Sequence, residues 1–269
     1  MTSGGEHMAV FADYARYYNL LYRDKDYAGE TAFVLEIMKK HGCIPRTLLD
    51  LGCGTGRHAV EMAKHGIHAA GVDMSENMLG MGQASISRLD PAECSVPLPE
   101  LLQGDARTVR LGKQFDAVVS LFHVMSYQNT EEDALAVMET ARSHLKPDGL
   151  FFFDFWHGPG VLRDVPTRRE RVLEDDVTHI RRVAEPELRV NDNVVVVNYT
   201  VSIRDLKSDR TTELHESHSM RYWFLPELRF LAKQAGFLVV DAGGWPTEQA
   251  PILDDWNAWM LLCSERLPK

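Results

Sequence analysis

The sequence predicts an α/β fold, a doubly wound sheet carrying an antiparallel β insertion, and three observations predict it. Residues 46–57 read as a short apolar strand, a turn with Gly52, Gly54 and Gly56, and the start of a helix. Apolar runs then alternate with amphipathic stretches as far as Phe155, the pattern of parallel strands joined by helices. Beyond Trp156 the alternation stops, and three extended segments follow in which side chains alternate with period two.

Along the chain, residues 12–27 are crowded with tyrosines, and Tyr14, Tyr18 and Tyr22 are spaced by four, which puts them on one face of a helix. A tyrosine keeps a polar end that needs a partner, so three on one face fit a polar pocket better than a dry core. Residues 28–41 form an amphipathic helix ended by Gly42 and Pro45. The strand 47–51 and the glycine turn come next. A second strand, 67–72, ends in Asp73, about 20 residues beyond the turn, where a carboxylate can accept from both hydroxyls of a ribose. Ser75 caps a helix with Met78, Leu79 and Met81 on its buried side.

Residues 90–99 form a loop, and 101–103 a short third strand. Asp105 and Ala106 follow at its carboxyl end, where ligands of open α/β sheets bind; a carboxylate and an amide there suit the amino group and a ring nitrogen of adenine. The fourth strand, 115–121, runs into His123 and Tyr127. An imidazole accepts a proton near neutral pH, so His123 is a candidate base, with a packed core histidine as the bland alternative. A helix starts at Asn129 or Thr130, complemented by Glu131, Glu132 and Asp133. After the turn at Pro147, Asp148 and Gly149, residues 150–155 make an apolar strand interrupted by Asp154. Trp156 and His157 leave the sheet at the same edge and are expected to wall the site. The extended segments 178–184, 194–204 and 212–224 make the insertion; Tyr222 on the last is expected at the substrate, and Trp156, Tyr222 and Trp223 as an aromatic lid. Pro226 opens a helix to Gly236, and 237–241 and 258–264 are the last strands.

The turn selects its ligand. Its glycines are spaced Gly-x-Gly-x-Gly, not the Gly-x-Gly-x-x-Gly of a dinucleotide site. Asp50 precedes it, and a carboxylate there repels a diphosphate but holds an ammonium group. Amides around Gly52, Cys53, Gly54 and Gly56 are expected to meet the same ligand, because glycine lets the backbone approach closely.

Composition sets outer bounds. A chain of 269 residues with 45% hydrophobic and 25% charged residues is ordinary for a globular protein. The net charge of −10 and the dispersed Lys and Arg argue against a nucleic-acid partner. No apolar run suggests a membrane span, the first eight residues lack the pattern of a signal peptide, and the four cysteines are far apart, so a cytoplasmic protein with reduced thiols is expected. His215 and His218 are three apart on opposite faces of a strand-like stretch, so no metal site is expected.

The Asp-Leu-Gly-Cys-Gly-Thr-Gly stretch, with Asp73 and Asp105 in order behind it, resembles class I S-adenosylmethionine-dependent methyltransferases over nearly the whole chain. Tyr18-Asn-Leu-Leu-Tyr22, Lys25-Asp-Tyr-Ala28 and Val118-Val-Ser-Leu-Phe122 are similar to the N,N-dimethyltransferases of nucleotide-linked amino sugars, of which the TDP-desosamine branch is nearest. The resemblance implies a Rossmann-like seven-stranded sheet with the insertion after the fifth core strand, a homodimer, S-adenosylmethionine as cofactor and S-adenosylhomocysteine as product. It places Tyr18 and Tyr22 near the cofactor's carboxylate and the substrate; Met74 and Leu121 are expected at the cofactor with Asp50, Asp73, Asp105 and Ala106, and Tyr14, Trp156, His157 and Tyr222 at a small-molecule substrate. His123 and the insertion depart from the family pattern. Expected domains are an N-terminal helical segment, 1–45, a methyltransferase core, 46–155 with 225–269, and a β insertion, 156–224, serving as lid or dimer contact. The expected reaction is methyl transfer to nitrogen or oxygen of a small polar acceptor such as a nucleotide-linked amino sugar. Another metabolite or a protein as acceptor shares every cofactor motif, and a non-catalytic cofactor-binding protein is the alternative of a different class.

Overall fold

The computed structural model describes Tyr17, Tyr18 and residues 20–264. Tyr14 therefore lies outside the described residues. The chain divides into two compact units, one taking the residues up to Asp26 with Val165–Met220, the other Tyr27–Asp164 with Arg221 onward.

The larger unit begins with α1 (Tyr27–Lys40), β1 (Thr47–Leu51), α2 (Arg57–Lys64), β2 (His68–Asp73), α3 (Glu76–Ile86), β3 (Glu100–Gln103), β4 (Phe115–Ser120), α4 (Glu131–Ser143), β5 (Leu145–Trp156) and α5 (Gly158–Arg163). Past the insertion, whose strands are β6 to β9, it ends with α6 (Leu225–Gln234), β10 (Phe237–Gly244) and β11 (Asn257–Ser264). These strands form one seven-stranded sheet in the order β10-β11-β5-β4-β1-β2-β3. Strands β5 to β3 run parallel, and β11 runs antiparallel to both of its neighbours. The chain moves outward from β1 through β2 to β3, then returns to place β4 on the other side of β1. The strand order reverses there, and the carboxyl ends of β1 and β4 flank the crevice where ligands of such sheets bind.

The apolar strand residues sort by parity onto two faces, as period two requires. Leu49, Leu51, Val118, Phe151, Phe153, Met260 and Leu262 pack with Val137, Met138 and Ala141 of α4 and Leu228 and Leu231 of α6. Leu48, Ala117, Val119, Phe152, Trp259 and Leu261 pack with Val34, Ile37 and Met38 of α1 and Ala59 and Met62 of α2. Each fully buried Leu or Phe contributes about 1.5–3 kcal/mol over an exposed one, so both layers hold the sheet in place. The predicted caps form: Ser75 Oγ accepts from Met78 N at 3.3 Å, and Thr130 Oγ1 accepts from Asp133 N at 3.1 Å.

β5 starts earlier than predicted. Leu145 pairs with Phe115 and Leu150 with Ala117, so the Pro147-Asp148-Gly149 turn is an irregularity inside the strand, with Asp148 at φ +64°.

The smaller unit holds a four-stranded antiparallel sheet, β6 (Arg169–Glu174), β7 (Thr178–Arg189), β8 (Val194–Asp205) and β9 (Thr211–Arg221), in that order. It has four strands where three were predicted. β6 reads Arg-Glu-Arg-Val-Leu-Glu and lacks an apolar alternation, because it is an edge strand held by cross-strand charge pairs such as Arg181 with Glu170 at 2.8 Å. Tyr17, Leu20 and Leu21 pack against Ile180, Val201 and Ile203 of this sheet. β9 ends at Arg221, so Tyr222 and Trp223 belong to the larger unit and not to the insertion.

Candidate active site

Gly52 ends β1 at φ +80°, and a Cβ there would lie 2.5 Å from Cγ2 of Val124. The turn after β1 is thus pressed against the turn after β4, with room for hydrogen only. Asp73, at the end of β2, ties the same corner together: Oδ2 accepts from Gly54 N at 2.7 Å and Oδ1 from Ser75 N at 2.8 Å. Each carboxylate oxygen keeps a further lone pair, which two vicinal hydroxyls can use.

The amides of the turn are spent inside the protein, which corrects their expected role. Gly52 N and Cys53 N both donate to Val72 O, and Gly56 N donates to Cys53 O. With Gly54 N on Asp73, the amides of Gly52, Cys53, Gly54 and Gly56 are all engaged within the corner. Cys53 packs its side chain with Leu79 and Leu101, and Leu121 lies in the layer with Phe152 and Val119. Neither side chain reaches outward, whereas Met74 is 68% exposed.

Asp50 is the unusual group. It is 1% exposed, and neither carboxylate oxygen has a hydrogen-bond partner among the described residues. Burial pushes its pKa up to about 7; His58 opposes the shift, and Asp73 and Asp154 add to it. A buried carboxylate without donors is costly, and an ammonium group placed against it removes that cost. His58 sits beside this corner on α2, its Nε2 at 2.8 Å from Glu30 Oε2.

Asp105 stands where expected but is already engaged. Arg107 Nη2 donates to its Oδ2 at 2.6 Å and Nε to its Oδ1 at 3.0 Å, while Nη1 reaches Asp133 at 2.8 Å. The hydrogen bonds from Arg107 hold the Asp105 carboxyl below the usual range. An adenine amino group would have to share this carboxylate with Arg107; the sequence signal for that competitor is a basic residue two positions on.

At the end of β4, Phe122 and His123 both adopt the left-handed conformation, at φ +67° and +64°. A buried carboxylate on β5 sets His123: Asp154 Oδ1 accepts from His123 N at 3.0 Å, and Oδ2 lies 2.8 Å from Nδ1, close enough for an ion pair but without the alignment of a hydrogen bond. Asp154 carried a signal in the sequence, a lone carboxylate between Phe153 and Phe155, although no role was read from it. The following turn is fastened twice more: Trp156 N donates to Ser126 Oγ at 2.9 Å, and Trp223 Nε1 donates to Met125 O at 2.9 Å. Tyr127 is 46% exposed at the end of that turn. The Trp156 ring stands 6.4 Å from His123 and 5.1 Å from Trp256, between centroids.

Three aromatic assignments are corrected. Trp223 is fully buried in the core layer, so it supports the turn from beneath and cannot be a lid. Tyr222 is fully buried with its ring against Phe224, out of a substrate's reach. His157 is 4% exposed and its Nδ1 donates to Asp255 O at 3.0 Å; burial pulls its pKa down against that hydrogen bond, and it pins the loop before β11. Tyr18 and Tyr22 belong to the smaller unit, where their rings meet at 4.8 Å.

The profile of the family described as "Methyltransferase domain" matches residues 48–149. The dTDP-3-amino-3,4,6-trideoxy-alpha-D-glucopyranose N,N-dimethyltransferase of Streptomyces venezuelae is 32% identical over 192 residues, 71% of this chain and 76% of that protein. The crystal structure of an S-adenosylmethionine-dependent methyltransferase from Clostridium acetobutylicum superposes with a TM-score of 0.79 at 19% identity, over 96% of this chain and 100% of the other. That of DesVI from Streptomyces venezuelae gives 0.76 at 24% identity, over 94% and 98%. At these identities the two structures speak for the fold alone.

Proposed function

The chain belongs to the class I S-adenosylmethionine-dependent methyltransferases, related to the sugar-nucleotide N,N-dimethyltransferases, and from that premise we propose that its acceptor is the amine of a nucleotide-linked amino sugar. The observation that carries the site is Asp50, a buried carboxylate with no donor at the end of β1. It suits the cofactor's ammonium. Asp73 would take the ribose hydroxyls on its remaining lone pairs, Asp105 and the Ala106 amide the adenine, and Met74 a further cofactor contact.

Bound S-adenosylmethionine supplies an electrophilic methyl group on a sulfonium. The protein's work is then to align the acceptor and to manage one proton. Alignment of reacting groups is worth roughly 7–11 kcal/mol in favourable cases. The amine must be neutral to attack, and His123 accepts its proton, directly or through water. Asp154 positions His123 by holding its amide and standing beside its ring. Trp156, against Trp256, walls the acceptor side, and Tyr127 reaches the acceptor from the turn.

A homodimer belongs to the same proposal, supported by the exposed edge strand β6, with the insertion as its contact or as a lid. A cytoplasmic location is supported by four free cysteines; no described helix is long and apolar enough to cross a membrane. The test is turnover: the protein is incubated with S-adenosylmethionine and a panel of TDP-linked 3- and 4-amino sugars, free amino sugars, glycine and a peptide N-terminus. Methylation of a TDP-amino sugar in preference to the others supports the reading, and turnover confined to the amino acid or peptide overturns it.

A further inference from the structure

β11 runs antiparallel to β5, so its first residue, Asn257, stands at the carboxyl edge of the parallel strands, where ligands of such sheets bind. Its direct partner there is Trp156, and Trp259 lies opposite Asp154. Residues directly opposite share a face, and so do residues two apart along a strand. Asn257 therefore shares its face with Trp156 and Asp154, the two β5 residues that stand by the ring of His123. All of these residues belong to the larger unit.

Asn257 Oδ1 is buried and has no hydrogen-bond partner among the described residues. The backbone of Asn257 is engaged, since its carbonyl accepts from Trp245 N at 3.0 Å. The amides of the neighbouring turn differ: Gln128 Nε2 donates to Val124 O at 3.0 Å and Asn129 Nδ2 to Tyr127 O at 3.2 Å, so each holds its own turn. An amide oxygen can only accept, and burying it without a donor is costly. Asp50 bears the same mark at the same edge of the sheet. The strand order β11-β5-β4-β1 puts these two orphaned acceptors on opposite sides of His123, which follows β4. Asp50 suits the cofactor's ammonium, and Asn257, beyond His123 and beside Trp156, is left for the other reactant.

We propose that Asn257 is a specificity-determining residue of the acceptor site, whose Oδ1 accepts from a hydroxyl or N–H that the acceptor carries next to the methylated atom. The inference rests on the acceptor lying by His123 and Trp156, as read above, and not on the acceptor being a sugar.

The experiment compares the full-length wild type with Asn257→Leu, which keeps the size of the side chain and removes the oxygen. Two TDP-linked 3-amino sugars serve as acceptors, one with a hydroxyl beside the amine and one without. The wild type favours the first by about 10-fold in kcat/KM. Asn257→Leu treats the two alike, through a higher KM for the first, with affinity for S-adenosylhomocysteine kept. Asn257→Ser, which leaves room for a bridging water, falls between. A wild type without the preference, or a preference unchanged in Asn257→Leu, overturns the proposal and leaves the sugar. Where methylation falls on glycine or a peptide N-terminus instead, a raised KM for that acceptor in Asn257→Leu keeps the residue and removes the sugar, and an unchanged KM removes both. Thermal melts of the S-adenosylhomocysteine complex give a second reading that needs no turnover and decides alone should none of these acceptors react. Asn257→Leu melts at or above the wild type, because the orphaned oxygen has no bond to lose. A melting temperature lower by about 2 °C or more marks a structural amide and overturns the proposal.

Discussion

Replacing Asp50 by Asn should stabilise the protein alone and weaken its hold on the cofactor, and both effects follow from one displaced titration. The folded chain keeps the Asp50 proton up to about pH 7, whereas an unfolded chain releases it near ~3.9. Between those values the unfolded state binds fewer protons than the folded one, so stability falls as pH rises, by about 1.4 kcal/mol per unit. The loss is complete above about pH 7 and amounts to roughly 4 kcal/mol. Asparagine does not ionise and escapes it, but its own buried amide costs about 1–3 kcal/mol without partners. The net gain at pH 8 is therefore about 1–3 kcal/mol, several degrees in melting temperature at about 2–4 °C per kcal/mol, and it reverses to a loss of about 1–3 kcal/mol as pH falls towards 4, where only the cost of the amide remains. Binding responds in the opposite sense. An ammonium group pairs with the carboxylate form, so below pH 7 the wild type must release a proton on binding, and its affinity for S-adenosylhomocysteine should drop about 10-fold per unit of falling pH. In Asp50→Asn that slope vanishes, and affinity above pH 7 is about 10- to 100-fold weaker, the worth of a charged hydrogen bond. Calorimetry between pH 5.5 and 7.5 in buffers of different ionisation enthalpy measures the affinity and the proton count together, and thermal melts at the same pH values measure stability. A wild-type affinity that is flat with pH, or an Asp50→Asn variant that binds as tightly, would refute the reasoning.

Other substitutions test other parts of the site. His123→Ala should lower kcat by about 100-fold while affinity for S-adenosylhomocysteine stays within about 2-fold; full activity removes it from the reaction. Asp154→Asn should lower kcat by about 10-fold while affinity for S-adenosylhomocysteine is kept, because the ring of His123 loses the group that places it, and an unchanged kcat would leave Asp154 with a packing role only. Gly52→Ala places a methyl 2.5 Å from Val124 at φ +80° and should cost about 2–4 kcal/mol from overpacking and backbone strain together, read as a lower denaturant midpoint. Asp116 accepts from Lys146 and from the Arg46 and Thr47 amides, which against its burial hold it at about 2. It should contribute about 2 kcal/mol above pH ~4, lost as pH falls towards 2; Asp116→Asn should show a shallower acid-denaturation curve, and one superimposable on the wild type contradicts the assignment.

The core was legible because its strands are buried on both sides. Runs such as Leu150 to Phe155 admit few other readings, and a glycine turn between strand and helix fixes where the crevice opens. The places of Asp50 and Asp73 were legible for the same reason, since the carboxyl ends of apolar parallel strands mark the edge where the crevice opens. What escaped detection were interactions between residues distant in the chain. Nothing local to His123 announces that Asp154 will hold it, and nothing in Gly-Asp-Ala-Arg says that the arginine will also reach Asp133 on α4. The aromatic residues after the insertion misled, because Tyr222 and Trp223 continue the alternation of β9 while belonging to the core, where Trp223 props the turn through Met125 O. β6 was missed because it is a mostly charged edge strand in which Leu173 alone is seen to pack with the apolar cluster of the sheet.

The ends of the insertion meet. Trp223 N donates to Trp156 O, and Gly158 N donates to Trp223 O, each at 2.9 Å, so the chain leaves and re-enters the core side by side, with His157 bridging Trp223. To the core, everything between is one closed loop, and closing a loop tenfold longer costs only about 2 kcal/mol more, because the entropy grows with the logarithm of length. The stretch from Val165 to Met220 can therefore lengthen, shorten or exchange strands over evolutionary time with little effect on the folding of the sheet that binds the cofactor. The fold of the insertion and the fold of the sheet are in that sense separately heritable, and either can drift without unmaking the other.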